Sequence, residues 1–184
     1  MSTGQRPIAR EWLMTDERMG ERLWKAIDRL PSEDAGIVFR HYATPTDERA
    51  ELARHIAEIC GRRSLTLAIA GDADLARELR AEFVHNPPGL PVDLPFSRSV
   101  HSLIEAEAAN AEGADLVFVS PIFATSSHPG QKPLPRTLAI EIARTAAVPA
   151  IALGGMNSTR FAPLGRQGFY GWAGIDAWLG VKLD

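Results

Sequence analysis

In the stretch Ser97-Arg98-Ser99-Val100-His101-Ser102-Leu103, a histidine stands between small residues and directly ahead of an acidic, alanine-rich run. The chemistry that would suit it is proton transfer, because an imidazole takes up and returns a proton near neutral pH. The competing reading is a polar residue that merely ends an element. Ser102 and Glu105 have the S-x-x-E spacing of a capping box. That spacing puts His101 just before a helix, at the carboxyl end of a strand.

Other stretches offer groups for binding. Ala152-Leu153-Gly154-Gly155-Met156 runs into Asn157 and Ser158. A strand, two glycines and a capped helix let backbone N–H groups approach an anion, although an ordinary glycine turn reads the same way. Residues 120–132 form a long polar segment with Thr125, Ser126, Ser127, His128 and Lys132, continuing to Arg136. Such a loop at a strand's carboxyl end suits a binding lid. In Phe39-Arg40-His41-Tyr42, strand alternation turns Arg40 and Tyr42 one way and His41 the other. An arginine there suits a carboxylate or phosphate, with a surface ion pair as the plainer alternative. His85 ends another strand, and His55 falls within a helix as a surface residue. His41, His85 and His101 include no short-spaced pair such as H-x-x-x-H, so no metal site is expected from them.

These residues need a scaffold. Apolar strand-like runs recur about every twenty residues, near 11–15, 36–40, 65–70, 82–85, 96–100, 115–120, 148–153 and 169–173. Helical patterns fill the gaps near 18–30, 45–60, 72–80, 102–112, 136–147 and 157–164, with a short one near 175–180. Leu116-Val117-Phe118-Val119 and Ala150-Ile151-Ala152-Leu153 are apolar at successive positions, as in a parallel sheet covered on both faces. Thr44-Pro45 and Asp72 are further expected helix starts. This order predicts an α/β chain folded as a (β/α)8 TIM barrel, with an open doubly wound sheet as the other architecture. With 184 residues the chain is short for a barrel, since about 200 or more is usual. The shortening falls at 86–95, where five prolines and glycines leave no room for a full fourth helix. One domain over residues 1–184 is expected.

Composition narrows the class. Charged residues are 23% and hydrophobic residues 45%, a soluble globular balance. A net charge of −3 gives no basic footprint for nucleic acid. Apolar runs are too short for a membrane span, and Met1–Trp12 lacks the apolar core of a signal peptide. A cytoplasmic protein is therefore expected. The single cysteine, Cys60, excludes an internal disulfide framework and reads as a buried thiol. Trp12, Trp24, Trp172 and Trp178 read as core and helix-packing residues.

Taken in order, Trp12–Asp16, residues 97–130 and Val148-Pro149-Ala150-Ile151-Ala152-Leu153-Gly154-Gly155-Met156-Asn157-Ser158 resemble the thiamine phosphate synthase family and its paralogues, the TenI-type thiazole tautomerases. The resemblance covers nearly the whole chain. It implies a (β/α)8 barrel that takes a carboxythiazole phosphate. It places the phosphate at Gly154, Gly155 and the last loop, around Ile175 and Asp176. In the synthase, the thiazole is joined to a pyrimidine-methyl diphosphate with magnesium and loss of pyrophosphate. In the tautomerase, a histidine moves a proton so that the thiazole becomes aromatic. Barrels of this family are often homodimers.

Residue by residue the two activities separate. The synthase motif Q-L-R-E-K falls on Val38–Tyr42, where only Arg40 matches. The synthase's Asn-Asp pair, whose Asp helps hold magnesium, falls on Ala70-Gly71. Its T-x-T-K loop becomes Thr125-Ser126-Ser127-His128, and Asp176 stands where the last loop's serine is expected. The histidine of the tautomerase matches His101. The expectation is thus a TenI-like tautomerase with His101 as acid/base. Arg40, Tyr42, His85, Thr125, Ser127 and His128 would face the substrate, and Gly154, Gly155, Ile175 and Asp176 the phosphate. No cofactor is expected, with Mg²⁺ entering only if the chain is a synthase. The alternatives are a true thiamine phosphate synthase and a diverged, non-catalytic ligand-binding barrel.

Overall fold

The computed structural model describes residues 7–125 and 130–180. Eight parallel strands close into a barrel in sequence order, the last hydrogen-bonded to the first. They are β1 Glu11–Met14, β2 Ala35–Phe39, β3 Thr66–Ala70, β4 Phe83–His85, β5 Phe96–Val100, β6 Leu116–Val119, β7 Ala150–Leu153 and β8 Gly171–Gly174. The helices are α1 Arg22–Asp28, α2 Thr46–Arg63, α3 Ala73–Glu78, α4 Leu103–Glu112, α5 Arg136–Thr145, α6 Ser158–Phe161 and α7 Asp176–Leu179. The barrel expected from the strand spacing is therefore present, and the open sheet is not.

Strand alternation builds two cores. Leu13, Ile37, Phe39, Leu67, Ile69, Val84, Val117 and Val119 face outward and pack beneath the helices. Trp12, Met14, Val38, Ala68, Ala70, Phe83, Leu116, Phe118, Ile151 and Ala173 fill the barrel interior. Trp12 dominates that interior, fully buried and edge-on to Phe83 and Phe118. Small partners make room for it: a Cβ on Gly36 would lie 2.5 Å from the indole. The indole N–H donates to the Ala9 carbonyl at 2.8 Å, so this large group is buried with its polar atom satisfied. The amino-terminal end of the barrel is thereby closed, and the opposite mouth is left for binding.

Between β4 and β5 there is no helix, as the proline-rich stretch requires. The loop is pinned instead. Arg77 of α3 donates to Asp93 at 2.8 Å, and Arg98 of β5 donates to the Pro87 carbonyl at 2.8 Å. Asp72 caps α3 by accepting from Leu75 N–H at 2.9 Å.

Three expected helices or caps differ. The stretch 18–30 divides into a 3-10 turn at Glu17–Met19 and α1, because Gly20 turns the chain at φ 47°. Thr44 does not cap α2: Pro45 is the N-cap, without a side-chain bond, and Thr46 starts the helix. The stretch 157–164 holds only the short α6, capped by Asn157. Cys60 is buried, and desolvation pushes its thiol up to about 12. Trp172 and Trp178 stack at 4.9 Å in the outer core, whereas Trp24 is half-buried against exposed His55. Among the described residues, no helix is long and apolar enough to cross a membrane.

Candidate active site

Ser97, Ser99 and His101 share one face of β5 and its extension, two residues apart, and descend into the barrel. Ser97 is 1% exposed, Ser99 is half-buried and His101 lies at the exposed rim. Around them, at the carboxyl ends of the strands, opens a cavity of about 360 Å³. Arg40, Asn86, Ser99, His101, Ser120 and Asp176 contribute to its wall, as do the turns at Leu153–Met156 and Gly174–Ile175. Thr125 and Gln131 reach it from the loop after β6.

His101 is held from two sides. Its Nδ1 lies 2.8 Å from the Ser120 carbonyl oxygen. A carbonyl only accepts, so Nδ1 carries the proton and Nε2 of the neutral ring is left as acceptor. The His101 backbone N–H donates to the Glu105 carboxylate, while Ser102 Oγ accepts from Glu105 N–H at 3.2 Å. The capping box is therefore present, with its return bond landing on His101 instead of on the cap residue.

The floor is a chain of neutral hydrogen bonds. Asn86, in a left-handed conformation at φ 48°, accepts from Ser99 N–H through Oδ1 at 2.8 Å. That bond orients the amide, so its Nδ2 donates to Ser99 Oγ at 3.1 Å and to His85 Nε2 at 3.2 Å. His85 Nε2 thus accepts, and Nδ1–H donates to Ser97 Oγ at 2.9 Å. Burial pushes His85 down to about 3, with Arg40 and Arg98 adding to the shift. His85 was expected to face substrate. Instead it is 1% exposed beneath the cavity, where strand β4 turns it inward and Asn86 covers it.

Arg40 projects into the cavity and is anchored to β1. Its Nε donates to the Thr15 carbonyl at 3.1 Å, and its backbone N–H donates to Thr15 Oγ1 at 3.0 Å. Burial lowers the Arg40 pKa, while Tyr42, Asp16 and Glu17 oppose the shift, and a guanidinium stays charged throughout. His41 turns the other way, stacked on Phe39 with its Nδ1 3.0 Å from Thr15 Oγ1. Tyr42 departs from expectation. It is 60% exposed and outside the cavity wall, because β2 ends at Phe39 and strict alternation ends with it.

Gly154 and Gly155 adopt φ values of 100° and 58°. A Cβ on Gly155 would lie 2.6 Å from the Ala124 carbonyl oxygen, so this turn packs directly against the loop after β6. Arg160 of α6 holds it with a 2.6 Å bond to the Gly155 carbonyl. In the loop after the neighbouring strand β8, Asp176 is the first residue of α7. It does not cap that helix, since Ile175 occupies the cap position with no side-chain bond. Ser127 and His128 lie outside the described residues.

For magnesium the described residues do not fit. Ala70 and Gly71 bring no ligand oxygen from their side chains, and the Asp72 carboxylate is engaged by Leu75 N–H and by Arg49 at 3.1 Å. Among the described residues, no cluster of three His, Cys, Asp or Glu side chains could hold a metal ion.

The sequence profile of a family described as thiamine monophosphate synthase matches residues 90–178. The chain is 38% identical over 157 residues to a thiamine-phosphate synthase of Anaeromyxobacter dehalogenans, spanning 79% of this chain and 70% of that one. A thiamine-phosphate synthase of Listeria monocytogenes is 32% identical over 143 residues, spanning 71% of this chain and 67% of that one. Among solved structures, a thiamine phosphate pyrophosphorylase from Pyrococcus furiosus superposes with a TM-score of 0.80 at 22% identity, over 95% of this chain and 89% of that one.

Proposed function

This chain belongs to the thiamine monophosphate synthase family, and on that ground we propose that its cavity joins a thiazole to a pyrimidine-methyl diphosphate. The identity to curated thiamine-phosphate synthases carries this reading, ahead of the tautomerase that the sequence motifs alone favoured. The thiazole ring nitrogen bonds to the pyrimidine's methylene carbon as that carbon's bond to the diphosphate oxygen breaks, and pyrophosphate leaves.

Several of the cavity's groups have work in this scheme. Arg40 provides a fixed cation for the diphosphate, its guanidinium held by the Thr15 carbonyl. Asn86 and Ser99 present an oriented polar floor against which a heteroaromatic ring can register. The glycine turn at 154–155 and the backbone at 175–176 bound the thiazole's side chain. Magnesium enters no step, since its expected ligands are replaced. Incubation with both substrates, with and without added Mg²⁺, tests the reading: thiamine phosphate and pyrophosphate should accumulate together. Their absence under both conditions would contradict it.

A second reading is favoured by one observation. His101 lines the cavity with Nδ1 committed to Ser120, which leaves Nε2 free in tautomer terms to accept and return a proton. That is what a thiazole tautomerase requires of a carboxythiazole phosphate. Turnover lost in His101→Ala with thiazole phosphate binding retained would support this reading. Full tautomerase activity in the same variant would exclude it.

A further inference from the structure

The turn after β7 is held from behind by groups that do not contribute to the cavity wall. Two successive carbonyls are taken by the loop after β6. Leu153 O accepts from Ile122 N–H at 2.9 Å, and Gly154 O accepts from Phe123 N–H at 3.0 Å. The next carbonyl, Gly155 O, accepts from Arg160 Nη1 at 2.6 Å. The same guanidinium lies over the Phe123 ring, 4.6 Å from its centroid. Arg160 is itself anchored, its backbone N–H donating to Asn157 Oδ1 at 2.8 Å. Its side chain therefore joins α6, the glycine turn and the loop after β6. Packing closes the same joint: a Cβ on Gly155 would lie 2.9 Å from Phe123 Cβ and 3.3 Å from Arg160 Nη1.

In a trans peptide the N–H and C=O groups point opposite ways. The Gly154 and Gly155 carbonyls are directed at Phe123 and Arg160, so the N–H groups of Gly155 and Met156 are directed away from them. That is the side on which Gly154, Gly155 and Met156 line the cavity. Successive backbone N–H groups of this kind suit an anionic oxygen. Two adjacent glycines leave the turn conformationally free, so its aim depends on what holds it. A charge-assisted bond is the strong kind, and it polarises the peptide whose N–H faces the cavity.

We propose that Arg160 is a positioning residue for the anionic end of the ligand. Through the Gly155 carbonyl it keeps two backbone N–H groups aimed at the cavity, and through Phe123 it makes that aim depend on the seated loop after β6. This rests on the thiazole-binding reading given above, and it names the residue that holds the thiazole's phosphate in place without touching it.

Calorimetric titration of the full chain with the thiazole phosphate and with the corresponding alcohol tests this, for wild type, Arg160→Ala and Phe123→Leu. Thermal unfolding checks that the variants are folded. Arg160→Ala should weaken phosphate binding by about tenfold or more, with the alcohol changed less than about threefold, because only the anion needs the aimed N–H groups. Phe123→Leu leaves Arg160 and the backbone bonds in place and removes the ring under the guanidinium. It should show a smaller loss, about threefold or more, again confined to the phosphate. Equal weakening of phosphate and alcohol in Arg160→Ala would overturn the proposal, since Arg160 would then only shape the pocket. Unchanged phosphate affinity in either variant would overturn it as well. Binding of neither thiazole by wild type would remove the thiazole reading itself, and this proposal with it.

Discussion

His101 Nδ1–H donates a hydrogen bond to the Ser120 carbonyl oxygen at 2.8 Å, joining the ends of β5 and β6 at the cavity rim. The bond makes one tautomer the working form. Under the tautomerase reading, His101→Ala is expected to lower turnover by roughly 10²–10⁴-fold, the usual contribution of a positioned acid or base. His101→Gln can keep a donor toward Ser120 yet cannot carry a proton, so it should be as slow as Ala. Steady-state kinetics of both variants, beside calorimetric ligand affinity, measure this. Equal losses in kcat with little change in Kd are the expected pattern.

Thr15 organises the opposite wall. Its hydroxyl accepts from Arg40 N–H and lies 3.0 Å from His41 Nδ1, while its carbonyl accepts from Arg40 Nε. Since Oγ1 already accepts from Arg40, its own proton is available for His41. Thr15→Val keeps the shape and removes the two hydroxyl bonds, to Arg40 N–H and to His41, leaving buried partners unmade while the carbonyl bond to Arg40 Nε stays. Urea denaturation should show a loss of about 1–3 kcal/mol. Ligand affinity should weaken in the same variant, because Arg40 loses part of its anchor.

Two glycines should separate stability from binding. Gly36 faces the Trp12 indole at the closed end of the barrel, and a Cβ there would lie 2.5 Å from the ring. Gly36→Ala is expected to cost about 1–3 kcal/mol through overpacking. Ligand affinity per folded molecule should hold. Gly155→Ala meets the Ala124 carbonyl at 2.6 Å at a φ of 58°, so the turn and the loop after β6 must shift. Calorimetry should show weakened thiazole binding in that variant.

The buried His85 predicts an acid-side loss of stability. Its folded pKa is depressed to about 3, whereas an unfolded histidine titrates near 6.5. The unfolded chain therefore binds more protons between these values, and stability falls as pH drops below about 6.5. The loss approaches about 1.4 kcal/mol per pH unit from this group within that window. His41, lowered by its own burial, acts in the same direction. Denaturant titrations at pH 7 and pH 5 should show a smaller difference in His85→Gln than in wild type.

The barrel was legible because its signals are local. Apolar runs at regular spacing mark the strands, and Ser102–Glu105 and Asp72 mark helix starts through short-range bonds. Even the missing fourth helix shows in Pro87, Pro88, Pro91 and Pro95. The site was legible only in part. His101, Arg40, Gly154, Gly155, Thr125, Ile175 and Asp176 all line the cavity. Tyr42 lies outside the cavity wall because β2 ends at Phe39 and alternation does not extend to it. His85 lies buried beneath the cavity wall, since depth within a barrel depends on register with neighbouring strands, which no single stretch reveals. Ser99 could have been found, since it shares the face of His101 two residues away. Asn86 and Thr15 could not, because their roles arise from partners on other strands.

The most direct test of the account is a coupled-product assay on the intact protein. The pyrimidine-methyl diphosphate is offered with either the thiazole phosphate or the thiazole alcohol, and pyrophosphate and the joined product are both quantified. The account predicts equimolar release of the two with the thiazole phosphate, and loss of both in Arg40→Ala. Neither product appearing with either acceptor, with or without Mg²⁺, would contradict it.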